Sequence, residues 1–344
     1  MNKKILIFKN DRIGDLIWSL EPINYLINLN KNYNITIFLS QINFSMNFLI
    51  KKKNIKFNQI DYHPTLIDRV KIFFYILFNN VDEIYIFRPQ NFYFILAFIF
   101  YFKKTKFLAY CINDVNGYKR PNPFLRKFLF RYVVNDRSTK KIREHTTELQ
   151  KKLVNFKSDI SKKINFISNN YQELPDNYIL FQFKKNMFES LNWTLINLEE
   201  LIFSISKIGL PIIIIKDKEI DNYNDYFSKM FNYVDFKKKK VDYKGSNIFF
   251  VDNVEGKNYF NVIYNSMITI APHGTVTSIS NLKNKLIIDL FYLGKNKISF
   301  YQAKNNFHEF KPKNDNYKFI LVDNNFHKCV KKIKNLLEKY FQYV

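Results

Sequence analysis

Residues 4–20 are KILIFKNDRIGDLIWSL. Lys4–Phe8 is an apolar run of strand length. Asn10–Gly14 is a polar turn, and Asp15–Leu29 then reads as a helix. An apolar strand that turns directly into a helix opens a parallel α/β sheet, and such sheets bind ligands at the carboxyl ends of their strands. Gly14 lets the backbone turn tightly and approach a ligand. Asp15 stands at the helix N-terminus and has two readings. It is a first-turn acid stabilised by the helix dipole, or a general base projecting into a cleft.

The alternation continues outward from this corner. Strands are expected at Ile35–Leu39, Ile55–Ile60, Glu83–Phe87 and Lys106–Tyr110. Helices are expected at Asn43–Lys53, Leu66–Phe78, Phe92–Phe102, Phe124–Val134 and Lys140–Val154. Between Asn155 and Asn177 the chain turns polar and irregular, which places a domain boundary there. The pattern then restarts. Strands are expected at Tyr178–Phe183, Pro211–Ile215, Asn247–Val251, Met267–Ala271 and Lys285–Leu290, with an edge strand at Phe319–Val322. Helices are expected at Leu198–Lys207 (closed by Gly209), Asp221–Phe231, Lys257–Asn265, after Gly274, and at His327–Phe341. The fold class is therefore α/β, with two Rossmann-like domains whose parallel sheets face a central cleft. The domains are residues 1–160 and 175–325, and residues 326–344 form a C-terminal helix that packs back on the body.

Composition narrows the function. The chain has 344 residues, with 54 Lys and Arg against 30 Asp and Glu, a net charge of +24. Such a surplus attracts polyanions, although the Lys, Asn, Ile and Phe richness throughout also fits a genomic bias. Lys237–Lys240 reads as a solvated loop, and no specific nucleic-acid signature accompanies the charge. The seven glycines form neither of the usual glycine phosphate loops. Two cysteines without a pairing motif suit a reducing cytoplasm. The N-terminus lacks a signal-peptide core. The longest apolar run, Phe92–Phe102, falls short of the ~20 residues that span a bilayer. It reads as a buried helix or as a surface that dips into a membrane interface. No His-Glu-x-x-His or other metal spacing occurs, and no cofactor is expected.

A second constellation, Ala271-Pro272-His273-Gly274-Thr275-Val276-Thr277-Ser278, also joins an apolar strand to a helix. Gly274 can bring backbone N–H groups near an anion, and Thr275, Thr277 and Ser278 add hydroxyls. Together they read as a diphosphate cradle or as an ordinary Thr-capped turn. His273 is a ligand for phosphate or sugar, or a structural histidine. Lys184 and Lys185, after the YILFQF strand, are a counter-charge for phosphate or solvated surface charge. Asp217 and Glu219 follow another strand end and can accept from a ribose or base.

At this point the pattern resembles glycosyltransferase family 9, the ADP-heptose:lipopolysaccharide heptosyltransferases and their relatives. Lys4–Phe8, then Arg12-Ile13-Gly14-Asp15, then an apolar helix start with Pro22 seven residues beyond Asp15, is similar to that family's N-terminal signature. Glu144-His145, Trp193-Thr194 and Met267–Leu290 resemble later segments. The sequence departs from the family at Leu191, where a Lys precedes the Trp. It departs again at Pro272-His273 and Thr277, where the family has an acid and a hydroxyl before the Gly and a His three after it.

The resemblance implies a GT-B fold and an inverting, metal-independent sugar transfer from a nucleotide diphosphate sugar. The acceptor it implies is lipopolysaccharide or another lipid-linked or polysaccharide surface glycan. It makes Asp15 the general base, with Arg12 and Gly14 beside the acceptor. It puts Lys184, Lys185, Glu219, His273, Gly274, Thr275 and Thr277 around the donor. The basic charge and the Phe92–Phe102 patch would then suit the cytoplasmic face of an anionic membrane. The alternative is a non-catalytic protein of the same fold that binds a nucleotide or glycan.

Overall fold

The structure, a computed structural model, describes residues 3–30, 32–50, 55–114, 116, 118–138, 142–157, 174–216, 240–243, 246–251, 254, 256–292 and 307–342. The chain divides into two compact units. One is Met1–Phe166 with Lys304–Lys311, and the other is Ile167–Ala303 with Pro312–Val344. Segment 304–311, grouped with the second domain on sequence grounds, thus returns to the first unit.

In the first unit β1 (Lys4–Lys9) runs into α1 (Ile13–Leu29). There follow β2 (Asn34–Ser40), β3 (Ile55–Ile60), α2 (Leu66–Phe78), β4 (Glu83–Ile86), α3 (Asn91–Ile99) and β5 (Lys106–Asn113). The parallel strand order is β3-β2-β1-β4-β5. Ile5, Leu6, Ile7 and Phe8 are all buried, because a central parallel strand is covered on both faces and needs a continuous apolar run. The chain leaves β1 toward β2 and comes back to its other side at β4. The ends of β1 and β4 therefore flank a topological switch point, where a crevice opens at the carboxyl edge.

Residues 124–134 are not one helix. Only α4 (Pro123–Arg126) is helical, a single turn after the short β6 (Lys119–Arg120). The aromatic and β-branched run that follows becomes β7 (Arg131–Asp136), parallel to β5. The helix expected over Lys140–Val154 is shorter, α5 (Thr146–Leu153), with His145 as its N-cap. Phe92–Phe102 is helical only to Ile99. The Asn43–Lys53 expectation is met by a 3₁₀ segment at Phe44–Leu49, with residues 51–53 outside the described residues.

Pro22 lies inside α1 and has no N–H for the carbonyl of Trp18. The Thr147 hydroxyl of α5 donates to that carbonyl at 2.7 Å, and the His145 ring meets Trp18 edge-on at 5.1 Å. The helix that carries Asp15 is thereby pinned from behind.

The second unit contains β8 (Ile179–Phe183), α6 (Lys185–Ser190), α7 (Leu195–Ser206) and β9 (Ile212–Lys216). It continues with β10 (Lys240–Tyr243), β11 (Ser246–Val251), α8 (Gly256–Asn265), β12 (Ile268–Pro272) and α9 (Thr275–Ser280). It ends with β13 (Leu286–Tyr292), β14 (Tyr317–Val322) and α10 (Phe326–Phe341). The order is β10-β11-β9-β8-β12-β13-β14, parallel except for β10 against β11. Its switch point lies between β8 and β12.

Lys240, read as loop, opens β10, and Lys237–Lys239 lie outside the described residues, as do Asp217, Glu219 and the expected Asp221–Phe231 helix. Helix α6 was not anticipated. α7 opens on a capping box between Thr194 and Asn197. Trp193 packs between Phe188 and Phe326, which ties α10 to this unit's core. Among the described residues no helix is long and apolar enough to cross a membrane.

Candidate functional site

At the switch point of the first sheet, the turn after β1 is fixed from every side. Asn10 is fully buried and donates to the carbonyls of Asp61 and Tyr62, while its own side-chain oxygen accepts from the Tyr93 hydroxyl at 2.8 Å. Arg88, just beyond β4, donates to the carbonyls of Asn10 and Tyr62, and its guanidinium lies 3.7 Å from the centre of the Tyr62 ring. Asp11 pairs with the buried Lys9 ammonium at 2.6 Å and accepts from Asn43 at 3.3 Å. Ser40 donates to the Asp11 carbonyl at 2.6 Å. Burial pushes the Asp11 carboxyl up to about 7; Lys9 opposes the rise and the charge of Asp15 adds to it.

This clamped turn delivers Asp15 into the first turn of α1, on the wall of a cavity of about 620 Å³ built wholly from the first unit. The size is that of a small-molecule site. Asp15 is half-buried, and among the described residues no side chain hydrogen-bonds or ion-pairs with its carboxylate. Its backbone carbonyl accepts from Ser19 at 3.0 Å. Basic residues surround the cavity, including His63, Arg69 and Arg120.

Gly14 does not make the tight turn expected of it. It sits in the first turn of α1 and is not among the glycines with positive φ, because residues 10–12 turn the chain before the helix begins. Arg12 is the exposed N-cap and does not line the cavity.

The far wall of the cavity comes from the returning segment. Glu309 is fully buried and accepts from Asn135 at 2.8 Å, from Arg137 at 3.0 Å and from Arg143 at 3.3 Å. Sequence reading missed this cluster, since 174 residues separate Asn135 from Glu309. It also missed Asp11, although that residue lies within the motif.

In the second unit, Lys184 directly follows β8 and His273-Gly274 directly follow the neighbouring β12, so both sequence-selected groups stand at the carboxyl ends that flank the second switch point. Gly274 has φ +157° and ψ −145°, a conformation that strains any residue with a Cβ, and open space lies where a Cβ would stand. The Gly274 N–H already donates to the Thr277 hydroxyl at 3.1 Å, and that hydroxyl donates back to the Gly274 carbonyl at 2.9 Å. Thr277 is fully buried, so it shapes the turn and offers no free hydroxyl. Ser278 does the same through its bond to the Gly274 carbonyl.

Thr275 is half-buried and opens α9, where the first N–H groups have no intrahelical acceptor. His273 Nδ1 lies 2.7 Å from Asp289, which is fully buried and also accepts from Tyr317 at 2.7 Å. With Nδ1–H donating to that carboxylate, Nε2 is left as an acceptor for an outside partner. Asp289 was not foreseen, because it sits inside the apolar run of β13. Lys185 turns to Glu189 at 3.7 Å, whereas Lys184 has no ion pair among the described residues.

No family model matches the chain, and no curated protein matches it. Solved structures do. The glycosyl transferase family 9 protein from Veillonella parvula is 10% identical, covers 98% of this chain and 97% of its own, and superposes with a TM-score of 0.64. E. coli heptosyltransferase WaaC with ADP-2-deoxy-2-fluoro heptose gives 10% identity, 98% and 99% coverage and a TM-score of 0.64. The UDP-GlcNAc 2-epimerase from Methanocaldococcus jannaschii gives 16%, 98% and 93%, and 0.57. The fold is thus that of the GT-B class, with two Rossmann-like units built on parallel sheets. Within that class the chain resembles the family 9 heptosyltransferases over nearly its whole length.

Proposed function

We propose that the chain is an inverting glycosyltransferase that moves a heptose or other hexose-like sugar from a nucleotide diphosphate sugar to a lipopolysaccharide or other surface-glycan acceptor. The observation that carries this reading is Asp15: an unpaired carboxylate on a rigid turn, lining a cavity at the switch point of a GT-B sheet. Asp15 takes the proton of the acceptor hydroxyl as its oxygen attacks the anomeric carbon. The bond from that carbon to the diphosphate breaks, and the diphosphate leaves with the electron pair. Attack opposite the leaving group inverts the centre.

The second unit supplies the donor side. Gly274 admits the diphosphate where no side chain intrudes, Thr275 N–H donates to it, His273 Nε2 accepts from a hydroxyl of the donor, and Lys184 balances the diphosphate charge. Thr277 positions Gly274. The solved heptosyltransferase holds an ADP-heptose analogue, which supports a nucleoside diphosphate as the leaving group here. Arg12 and Gly14 serve the acceptor side, as neighbours of Asp15 on the helix start, and Glu219 serves the donor.

The departures at Leu191, Pro272 and His273 favour one second reading, a binding protein without turnover. Calorimetric titration with ADP-, UDP-, GDP- and dTDP-sugars, followed by product analysis with glycolipid acceptors, separates the two. Transfer with release of the nucleoside diphosphate supports the enzyme. Tight binding of a donor with no transfer to any acceptor supports the second reading, and a sugar isomerised while still on its nucleotide would replace both.

A further inference from the structure

Helices α2 and α3 are apolar on two faces. In α2 the stripe Ile72 and Ile76 is buried in the core, while Leu66, Val70, Phe74 and Phe78, spaced four apart, are exposed. In α3 Tyr93, Phe94, Leu96 and Ala97 are buried, while Ile95, Phe98 and Ile99 face outward, followed by Phe102 at 95% exposure. A surface helix normally presents a polar outer face.

Beneath the surface α2 and α3 are tied by Phe73, which packs on the buried Phe100 at 5.3 Å, while on the outer face Phe98 reaches Phe124 at 6.2 Å and Phe128 at 4.8 Å beside α4. Of the 19 large hydrophobic residues exposed among the described residues, 14 lie in the stretch from Leu66 to Tyr132, so exposed apolar side chains concentrate on α2, α3, α4 and the segments that follow them.

Charge identifies the occupant. Residues 91–131 hold eight Lys or Arg and a single acid, Asp114. Lys104 and Lys127 are exposed among the aromatic rings, and Lys106 lies over the exposed Phe130 at 4.7 Å. Aromatic side chains interleaved with cations suit the headgroup boundary of an anionic bilayer, where rings enter the acyl edge and ammonium groups meet phosphates. The surface also runs into the cavity: Ile95 is exposed on the patch and lines the cavity wall.

We infer that the outer face of α2, α3 and α4 is a docking surface for an anionic lipid bilayer, and that it seats the mouth of the first unit's cavity at the lipid headgroups. The docking stands on the exposed rings and charges alone and does not depend on the transferase reading.

The test is flotation of the full chain with phosphatidylglycerol–phosphatidylcholine vesicles, against phosphatidylcholine vesicles, for three chains. The wild type floats with the anionic vesicles only. Phe98→Ser/Phe102→Ser/Phe124→Ser, with circular dichroism as a check on folding, loses at least tenfold in apparent affinity. Phe102→Trp, which keeps an aromatic ring, gives a blue-shifted emission quenched by brominated lipid. No flotation of the wild type overturns the inference. So does flotation without the Trp shift, which assigns binding to the overall charge. A dimer in sedimentation that the triple variant dissociates, with no lipid binding, assigns the face to a second copy of the chain and also overturns it.

Discussion

At the scale of single residues, two carboxylates four positions apart have opposite surroundings. Asp11 is buried, paired and held in place; Asp15 is half-buried and unpaired among the described residues. Asp11 fixes the turn, and the proposed function assigns the acceptor proton to Asp15. Asp15→Asn should lower transfer by at least ~100-fold, the usual effect of removing a general base, with an unchanged melting curve and donor affinity. Asp11 gives a pH signature. An unfolded carboxyl loses its proton near 3.8, whereas burial holds that of Asp11 to about 7. The folded chain binds the extra proton in this window, so this group's contribution to stability falls as pH rises from about 4 to about 7. Denaturant midpoints of Asp11→Asn should lack that slope, and equal slopes in both chains would contradict the assignment. Gly274→Ala should cost ~1–3 kcal/mol through backbone strain alone, and nucleoside diphosphate affinity should fall with it in calorimetry. The sequence showed which turns matter, because glycine, hydroxyls and acids at strand ends are local signals. It did not show that the Thr277 hydroxyl is already engaged or that Asp289 backs His273, because both depend on distances between strands.

At the scale of elements, α1 is held to α5 by an unusual repair. Pro22 takes away the donor for the Trp18 carbonyl, and Thr147 supplies another. Thr147→Val leaves that carbonyl unsatisfied and should destabilise the chain by ~1–3 kcal/mol, with Thr147→Ser restoring most of the loss in chemical denaturation. The central strands were legible because a parallel strand buried on both faces must be continuously apolar, as β1 and β13 are. Residues 124–134 were misread for the same physical reason. An apolar aromatic run has no period that separates a short helix turn from a strand, and pairing with β5 decided the outcome for β7.

At the scale of the whole molecule, the sequence boundary between two α/β halves reflects the restart of the strand pattern. The return of 304–311 into the first unit had no local sign. Its anchor is Glu309, held by Arg137 and Arg143. Removing one partner of a buried pair commonly costs ~3–5 kcal/mol. Glu309→Gln should therefore lower the melting temperature and raise hydrogen exchange at 307–311 and in β7, and unchanged exchange there would deny the anchor.

The claim on which the function rests is that Asp15 takes a proton from an acceptor while a nucleoside diphosphate departs. The direct measurement is nucleoside diphosphate release from a panel of nucleotide sugars with glycolipid acceptor, in wild type and Asp15→Asn side by side. The expected result is acceptor-dependent release with one donor in the wild type and its loss in the variant at unchanged donor affinity. Equal release by both chains would contradict it.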